Sequence, residues 1–274
     1  MPDEFFGGLD FGSSGARISI INFKKELKYS NSVTYEDGLK SPTSWIDSCE
    51  KLLDNLPLEI KSNIANLAIS GTSGTLTACN LRGDPLGEAI AYDQVCNDNK
   101  ILIESLTLGE DHLRTPYSSL AKALKLIDKY GENILLRHQS DWITGWFLKD
   151  WTYGEEGNNL KLGWKLIKES WPKSYLETSW RKCLPLIVKS GKIIGQIDSL
   201  LAERFKLNKK ILLISGTTDS NAAFLAAGLG KEEGLTVLGT TIVVKKINKT
   251  PIKEKGITSH RVSGDWICGG ASNA

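Results

Sequence analysis

The chain has 274 residues, 41% of them hydrophobic and 24% charged, and its 34 lysines and arginines nearly balance its 32 aspartates and glutamates. This composition is typical of a globular protein, and the length leaves room for two domains. The formal net charge of +2 provides no electrostatic argument for binding to nucleic acid or to a membrane surface.

Strands and helices are predicted in alternation along the chain. Apolar runs bounded by small polar residues indicate strands, and apolar residues at helical spacing indicate helices. In chain order the predicted elements are strands Phe5–Leu9 and Arg17–Phe23, helix Pro42–Leu53, strands Ile64–Ser70 and Thr75–Asn80, helices Ser118–Tyr130, Ser140–Leu148, Leu162–Glu169 and Ser199–Phe205, strand Lys210–Ile214, helix Ser220–Leu229, and strands Leu235–Leu238, Ile242–Ile247 and Asp265–Cys268. This alternation predicts an α/β fold.

Three short turns rich in glycine and hydroxyl groups follow apolar strands, at residues 10–15, 71–75 and 215–219. Backbone N–H groups and hydroxyls in such turns can hold phosphate oxygens, and glycine lets the backbone approach them closely. The sequence has neither a G-x-x-x-x-G-K-[ST] loop nor a complete G-x-G-x-x-G, so the two commonest nucleotide-binding signatures are absent.

The two ends of the chain resemble each other. Residues 9–14 with the strand to Asn22, and residues 237–241 with the strand to Asn248, both read as strand, glycine-hydroxyl turn and strand. The repeat suggests two duplicated domains that each present a hairpin to a shared cleft, although short hairpins of this kind are common.

The cysteines and histidines indicate the kind of compartment and the kinds of site that this protein can have. The five cysteines are scattered and form no C-x-x-C pair, which favours a reducing compartment over a disulfide framework or a zinc site. The three histidines, His112, His138 and His260, read as surface or core residues. No signal-peptide pattern is present, and no apolar stretch reaches the roughly 20 residues of a membrane helix, so we expect a cytoplasmic protein.

Two aspartates are candidates for chemistry. Asp10 follows the first strand and could hold Mg²⁺ through water, although Asp10 and Ser13 could equally hydrogen-bond within their own turn. Asp219 precedes the helix Ser220–Leu229, where it could be a helix N-cap or the general base that accepts a proton from an attacking hydroxyl.

Taken in order, the turns resemble those of the FGGY carbohydrate kinases, and more narrowly the xylulokinase-like D-ribulose kinases of photosynthetic organisms. The resemblance runs along the whole chain. It rests on residues 8–17, 69–75, 216–220, 238–241 and 269–273, together with 141–145 and 158–163.

That family has the actin-like ATPase fold of the ribonuclease-H-like type, with ATP and sugar bound between two domains. The resemblance implies a complete first domain, residues 1–229, and the start of a duplicated nucleotide-binding domain, residues 230–274. It implies Asp219 as the catalytic base, Asp10 as a catalytic residue that positions metal and sugar, and Ser73 as a further sugar contact. ATP phosphates would meet Gly12, Ser13, Ser14, Arg17, Gly239, Thr240 and Thr241.

The sequence departs from the family in three places. Ser13 replaces a common threonine but keeps the hydroxyl. Tyr92, Gln94 and Cys96 stand where many members have a Trp-x-Asp-x-Arg sugar-binding pattern, so the substrate is open. The sequence stops at Ala274, before most of the family's second domain, from which we expect poor nucleotide affinity unless a partner chain completes it.

The leading hypothesis is a kinase that transfers the γ-phosphate of ATP, with Mg²⁺, to a hydroxyl of a ketopentose. D-ribulose is the first candidate and D-xylulose the second. Two alternatives remain: an inactive, truncated sugar-binding relic of such a kinase, and an ATPase that couples hydrolysis to conformational change. A small sugar is the expected partner, without nucleic acid or membrane, and the oligomeric state is open.

Overall fold

A computed structural model describes residues 4–107, 111–230, 232–238, 241–254, 256–262 and 264–273. The strands are β1 (Phe5–Phe11), β2 (Gly15–Asn22), β3 (Leu27–Thr34), β4 (Ile64–Gly71), β5 (Leu76–Cys79), β6 (Leu135–His138), β7 (Tyr153–Glu155), β8 (Leu186–Val188), β9 (Ile193–Gln196), β10 (Leu212–Ile214), β11 (Gly234–Val237), β12 (Thr241–Asn248), β13 (Thr258–Val262) and β14 (Asp265–Asn273). The helices are α1 (Pro42–Asp54), α2 (Leu58–Asn63), α3 (Lys100–Leu106), α4 (Ser119–Tyr130), α5 (Gln139–Leu148), α6 (Lys173–Leu176), α7 (Ser199–Arg204) and α8 (Asp219–Ala226).

The largest sheet has the strand order β3-β2-β1-β4-β10-β9. Strands β1, β4 and β10 run parallel, whereas β2, β3 and β9 are antiparallel to their neighbours. Parallel strands end at the same edge of a sheet, which is where ligands bind in open α/β folds. The three turns at residues 10–15, 71–75 and 215–219 follow β1, β4 and β10, so the fold brings them to one edge.

Helices α1 and α5 cover this sheet, α1 against β2 and β3, and α5 against β4 and β10. Helix α1 begins at Pro42, and the Ser41 hydroxyl caps it by accepting a 3.3 Å hydrogen bond from the Ser44 N–H. Trp45 of α1 and Trp142 of α5 are both buried and meet edge to face, with 5.8 Å between ring centroids. This apolar core fixes the sheet whose edge presents the turns.

A second core lies under the antiparallel pair β5 and β6, where helix α4 packs against β5. Its buried apolar residues include Leu76, Leu120, Leu124 and Tyr175. Strands β11, β12, β14 and β13 form a separate antiparallel sheet in that order. Phe224 of α8 packs with Val262 and Ile267 of this sheet, which links the helix that begins at Asp219 to β13 and β14.

Most predicted elements are present, and the α/β prediction is confirmed. The predicted helix Leu162–Glu169 is wrong: a 3₁₀ turn at Asn158–Leu162 ends at Gly163, whose φ of 114° is left-handed. Trp164, the next residue, packs edge to face on Trp171 at 5.3 Å between ring centroids. The glycine ended a run whose apolar spacing suggested a helix.

The cysteines Cys49, Cys79, Cys96, Cys183 and Cys268 are all buried and free. Burial raises the pKa of Cys79 to about 12, so this thiol stays protonated at neutral pH. In the described part of the chain, no helix is long and apolar enough to cross a membrane.

Candidate active site

The hairpin turn between β1 and β2 presents two hydroxyl side chains at its tip. The Gly12 N–H donates a 2.9 Å hydrogen bond to the Gly15 carbonyl, and the Tyr35 hydroxyl donates to the Gly12 carbonyl at 3.0 Å. Ser13 and Ser14 are both exposed. A Cβ on Gly15 would lie 2.1 Å from the Val33 carbonyl oxygen, so the close approach of β3 requires glycine there.

Asp10 is held across the sheet rather than within its turn. The Ser70 hydroxyl on β4 donates a 2.8 Å hydrogen bond to Asp10 Oδ1, and the Arg17 guanidinium on β2 lies 3.9 Å from Oδ2. The Asp10 side chain remains 40% exposed. Ser70 on β4 therefore holds Oδ1 and Arg17 on β2 lies near Oδ2, which does not fit the alternative of a side chain that serves only its own turn.

The turn after β4 is anchored by polar groups on other elements, the buried Gln139 and the exposed Lys161. Gln139 Oε1 accepts hydrogen bonds from the Thr72 N–H at 2.9 Å and the Thr72 hydroxyl at 2.8 Å. Lys161 Nζ donates to the Ser73 carbonyl at 2.8 Å. Gly74 has a φ of 99°, which favours glycine at that point of the turn. Ser73 is thus held at the sheet edge with its side chain partly exposed.

Asp219 is the first residue of α8, and Thr218 occupies the N-cap position before it. The Asp219 carboxylate accepts a 2.7 Å hydrogen bond from the Ser220 N–H. Partial burial raises the pKa of Asp219, and the negative charge of Asp10 raises it further, whereas Lys161 and Lys245 oppose both effects. The carboxylate is thus electrostatically coupled to Asp10, near the end of β1.

The loop that presents Asp219 is packed tightly on β4. Thr218 pairs with Gly71 in a parallel bridge, next to the turn that carries Ser73. A Cβ on Gly216 would lie 1.9 Å from the Ile69 carbonyl oxygen, so only glycine allows the loop to lie this close. The end of β4 therefore determines where the α8 N-terminus sits.

Ser73 and Asp219 line one cavity of about 500 Å³. The cavity is also lined by the side chains of Tyr92, Lys161, Lys245 and His260 and by the glycines Gly157, Gly269 and Gly270. Asp10 and Gly12, Ser13, Ser14 and Arg17 do not line this cavity, although the charge of Asp10 acts on Asp219. A larger cavity of about 1160 Å³ is lined by Trp142, Trp146 and Trp151 and by none of the predicted site residues, so size alone does not identify the site.

Lys161, Lys245 and His260 are site residues that the sequence argument missed. Lys245 Nζ donates to Ser220 Oγ at 2.8 Å and Asn221 Oδ1 at 2.5 Å, and burial lowers its pKa to about 8. Burial also lowers the pKa of His260 to about 3, with help from both lysines, so the imidazole is neutral. A lysine on the inward alternation of the Ile242–Ile247 strand was the available signal for Lys245.

The second predicted phosphate turn is only partly described. Strands β11 and β12 pair as an antiparallel hairpin, with Val237 opposite Val243, as the internal repeat predicts. Gly239 and Thr240 fall outside the described residues, and for Thr241 only its backbone position at the start of β12 is described. Their assignment to ATP phosphates stays a prediction.

Of the three residues that depart from the family's sugar-binding pattern, Tyr92 alone lines the cavity. Gln94 Oε1 accepts a 2.7 Å hydrogen bond from the Ala91 N–H and so serves the local backbone. Cys96 is buried among the residues of the second core. The segment thus offers one aromatic side chain to the cleft.

The sequence stretches 141–145 and 158–163 meet in a buried polar network beside the cavity. Asn159 Nδ2 donates to Asp141 Oδ2 at 3.0 Å, and the Glu155 N–H donates to Asp141 Oδ1 at 2.9 Å. The Glu155 carboxylate accepts from the N–H groups of Gly157 and Asn158, both at 2.7 Å. Full burial raises the pKa of Glu155 to about 7. The two stretches are structural supports of the cavity wall at Gly157.

No protein-family model matches the chain. The chain is 25% identical over 287 residues to the xylulose kinase of Lactococcus lactis subsp. lactis (strain IL1403), a match that covers 94% of this chain and 56% of that protein. Among solved structures, xylulose kinase from Rhodospirillum rubrum aligns with a TM-score of 0.82 at 16% identity, covering 99% of this chain and 61% of that one. Glycerol kinase from Plasmodium falciparum, solved with ADP, aligns with a TM-score of 0.80 at 14% identity, covering 99% of this chain and 61% of that one.

The chain has the actin-like ATPase fold. A gluconate kinase from Lactobacillus acidophilus has it too, with a TM-score of 0.82 at 14% identity over 98% of this chain and 60% of that one. The chain spans about 56% of the length of the xylulose kinase it matches.

Proposed function

We propose that this chain carries the sugar site and the catalytic base of an ATP-dependent carbohydrate kinase. The observation that supports this most directly is the shared cavity of Ser73 and Asp219 beside the Asp10 carboxylate. In phosphoryl transfer the protein must orient a hydroxyl, accept its proton and neutralise charge on the phosphates. Asp219 would accept the proton, and Ser73 and Tyr92 would contact the sugar.

ATP would enter from the side of the two hairpins. The exposed Ser13 and Ser14 hydroxyls and the backbone of Gly12 are suited to phosphate oxygens, with Arg17 next to Asp10 as a nearby cation. Gly239, Thr240 and Thr241 would act in the same way from the opposing hairpin. The division into a sugar-kinase domain, residues 1–229, and the start of a nucleotide-binding domain, residues 230–274, belongs to this proposal.

The donor set at Asp10 suits Mg²⁺. One carboxylate oxygen is fixed by Ser70 and the side chain is 40% exposed, and Mg²⁺ typically binds through one or two carboxylates, water and substrate phosphates. Asp10 would hold the ion through water. When bound, Mg²⁺ would neutralise charge on the transferring phosphate.

A ketopentose is the proposed acceptor, with D-ribulose first and D-xylulose second. The relatives named xylulose kinase support a ketopentose as the class of sugar. The turns that resemble those of D-ribulose kinases support ranking D-ribulose before D-xylulose. An inactive relic is not favoured, because Ser73 and Asp219 line a formed cavity and the charge of Asp10 acts on Asp219. An ATPase without a sugar acceptor has no observation in its favour beyond the shared fold.

The test is ADP formation with Mg-ATP and a panel of ketopentoses, alongside sugar binding by calorimetry. Asp219→Asn should abolish sugar-dependent ADP formation while sugar binding persists, since the amide cannot accept the proton. Asp47→Asn changes an exposed aspartate of α1 and is the matched control. Full turnover by Asp219→Asn would refute the assigned base, and hydrolysis indifferent to every sugar would favour the ATPase. Absence of sugar binding by the folded chain would refute the sugar site.

A further inference from the structure

Lys122 of α4 is completely buried, and its ammonium group has two backbone partners. Lys122 Nζ donates to the Gly74 carbonyl at 2.8 Å and to the Tyr92 carbonyl at 2.9 Å. Its relative exposure is 0%. Within the described residues, no carboxylate forms an ion pair with it. The charge-assisted hydrogen bonds of this ammonium group therefore hold two chain segments together.

Both of these segments face the cavity. Gly74 follows Ser73 in the turn after β4, and Ser73 and Tyr92 line the cavity. Lys161 holds the same turn at the preceding carbonyl, that of Ser73, at 2.8 Å. Two lysines from different elements thus fix consecutive carbonyls of one turn, and only Lys122 extends the link to the segment of Tyr92.

Stability of the core does not account for a lysine at this position. Its neighbours on α4, such as Leu120, Ala123 and Leu124, are buried apolar residues. Burying an ammonium group is costly, and apolar side chains of similar volume often serve folding as well or better. What an apolar residue could not do is hydrogen-bond the Gly74 and Tyr92 carbonyls.

We propose that Lys122 is a positioning residue of the sugar site, which sets the separation of Ser73 from Tyr92. The inference rests on the proposed function, because it assigns the two sides of the cavity to one sugar. Burial lowers the pKa of Lys122 to about 8, with a further contribution from Lys161, so the ammonium remains charged at pH 7. Asp93 and Cys96 act in the opposite direction.

The experiment compares Lys122→Met with Lys125→Met, which removes an exposed lysine from the same helix. Hydrogen exchange is followed at the amides that report on the two segments. Thr75 donates to the Thr72 carbonyl, Tyr92 donates to Thr75 Oγ1, and Gln94 donates to the Ala91 carbonyl. In Lys122→Met we expect these amides to exchange about tenfold faster, whereas the amides of α1 keep their rates, and Lys125→Met should behave as wild type.

Two further variants separate positioning from folding. Lys161→Met should accelerate exchange in the turn but leave the Tyr92 segment unchanged, because the hydrogen bond described for Lys161 goes to the Ser73 carbonyl and not to that segment. Lys122→Arg keeps the charge and the donors, and should recover part of the loss. If Lys122→Met does not fold, Lys122→Gln takes its place in the same measurements. Unchanged exchange in a folded Lys122 variant would overturn the proposal, as would equal acceleration throughout the chain.

Sugar binding by calorimetry completes the test. The affinity of Lys122→Met for the ketopentose should fall about tenfold while the α1 amides keep their exchange rates. Lys125→Met should bind the sugar as wild type does. If wild type binds no sugar, the proposed function fails, and the exchange data still decide whether Lys122 joins the two segments. Normal sugar affinity in a folded Lys122→Met would overturn the positioning role.

Discussion

Ser70 and Asp10 lie opposite each other on the parallel strands β4 and β1, and the Ser70 hydroxyl donates a 2.8 Å hydrogen bond to Asp10 Oδ1. Ser70 is buried, whereas the Asp10 side chain is 40% exposed. The bond fixes Oδ1, whereas Oδ2 lies 3.9 Å from the Arg17 guanidinium on the exposed side of the carboxylate. Orientation of Asp10 therefore depends on a residue that does not itself face the ligand.

Ser70→Ala should lower sugar-dependent turnover about tenfold and raise the Mg²⁺ concentration needed for half-maximal rate, because the carboxylate can rotate. A hydrogen bond to a charged group contributes about 1.5–3 kcal/mol. Initial rates at several Mg²⁺ concentrations measure the effect. Ser19→Ala, which alters an exposed hydroxyl on β2, is the control and should leave both quantities unchanged. Equal Mg²⁺ dependence in the two variants would contradict the role of Ser70.

Lys245→Met should shift the acid limb of the pH profile of kcat/KM to higher pH. Lys245 opposes the upward shift in the pKa of Asp219, so its removal raises that pKa further, and the base is deprotonated only at higher pH. The neighbouring Lys246 is exposed and pairs with Glu232 at 3.8 Å, and Lys246→Met should leave the limb in place. An unmoved limb in Lys245→Met would exclude this coupling.

Glu155 should make the folded state lose stability as pH rises from about 4.5 to about 7. Its pKa is raised from 4.5 to about 7 in the folded chain, so the folded state binds more protons than the unfolded chain in this window. Urea unfolding at pH 5 and pH 7.5 measures the effect. The free energy of unfolding of wild type minus that of Glu155→Gln should be larger at pH 5 than at pH 7.5, by a few kcal/mol.

Glu203→Gln is the control for that measurement, because its expected sign is opposite. A hydrogen bond from Lys209 lowers the pKa of Glu203, so its stabilising contribution is present above the unfolded value and is lost on acidification. The same pH trend in both variants would contradict the assignment to Glu155.

Gly216→Ala should destabilise the chain by about 2 kcal/mol or more, because its Cβ would lie 1.9 Å from the Ile69 carbonyl oxygen and force the loop off β4. Thermal unfolding measures the loss. Gly8→Ala is the control, since no heavy atom outside the neighbouring residues lies within 4 Å of a Cβ at Gly8. Equal melting temperatures for the two variants would show that the loop can move away without cost.

Local patterns predicted the turns well because each depends on a few adjacent residues. The hairpin at Gly12, the strand that ends at Gly71 and the helix that begins near Asp219 were all visible as apolar runs followed by glycine and hydroxyls. The failure at Leu162–Glu169 has the same origin: its apolar spacing is helical, but Gly163 ends the 3₁₀ turn. The helical spacing of the apolar residues outweighed the single glycine in the prediction, although that glycine ends the turn.

Lys122 and Lys161 could not be predicted as site residues, because their roles depend on residues far away in sequence. Lys122 reads as one polar position on an amphipathic helix, and its partners Gly74 and Tyr92 lie on other segments. Lys161 lies just before the segment wrongly predicted as helix, and its hydrogen-bond acceptor is the Ser73 carbonyl. Only the folded arrangement brings these ammonium groups to the carbonyls they hold.

The order of strands in the large sheet has a consequence for how the molecule folds. Strand β4 is paired on one side with the early β1 and on the other with the late β10, in which Leu212 lies opposite Asn66. Pairings between positions this far apart are slow to form, because a long loop must close first. During synthesis, pairing of β1 with β4 could bring Asp10 and the turn of Ser73 to one sheet edge early, whereas Asp219 could reach that edge only after β10 had emerged and paired with β4.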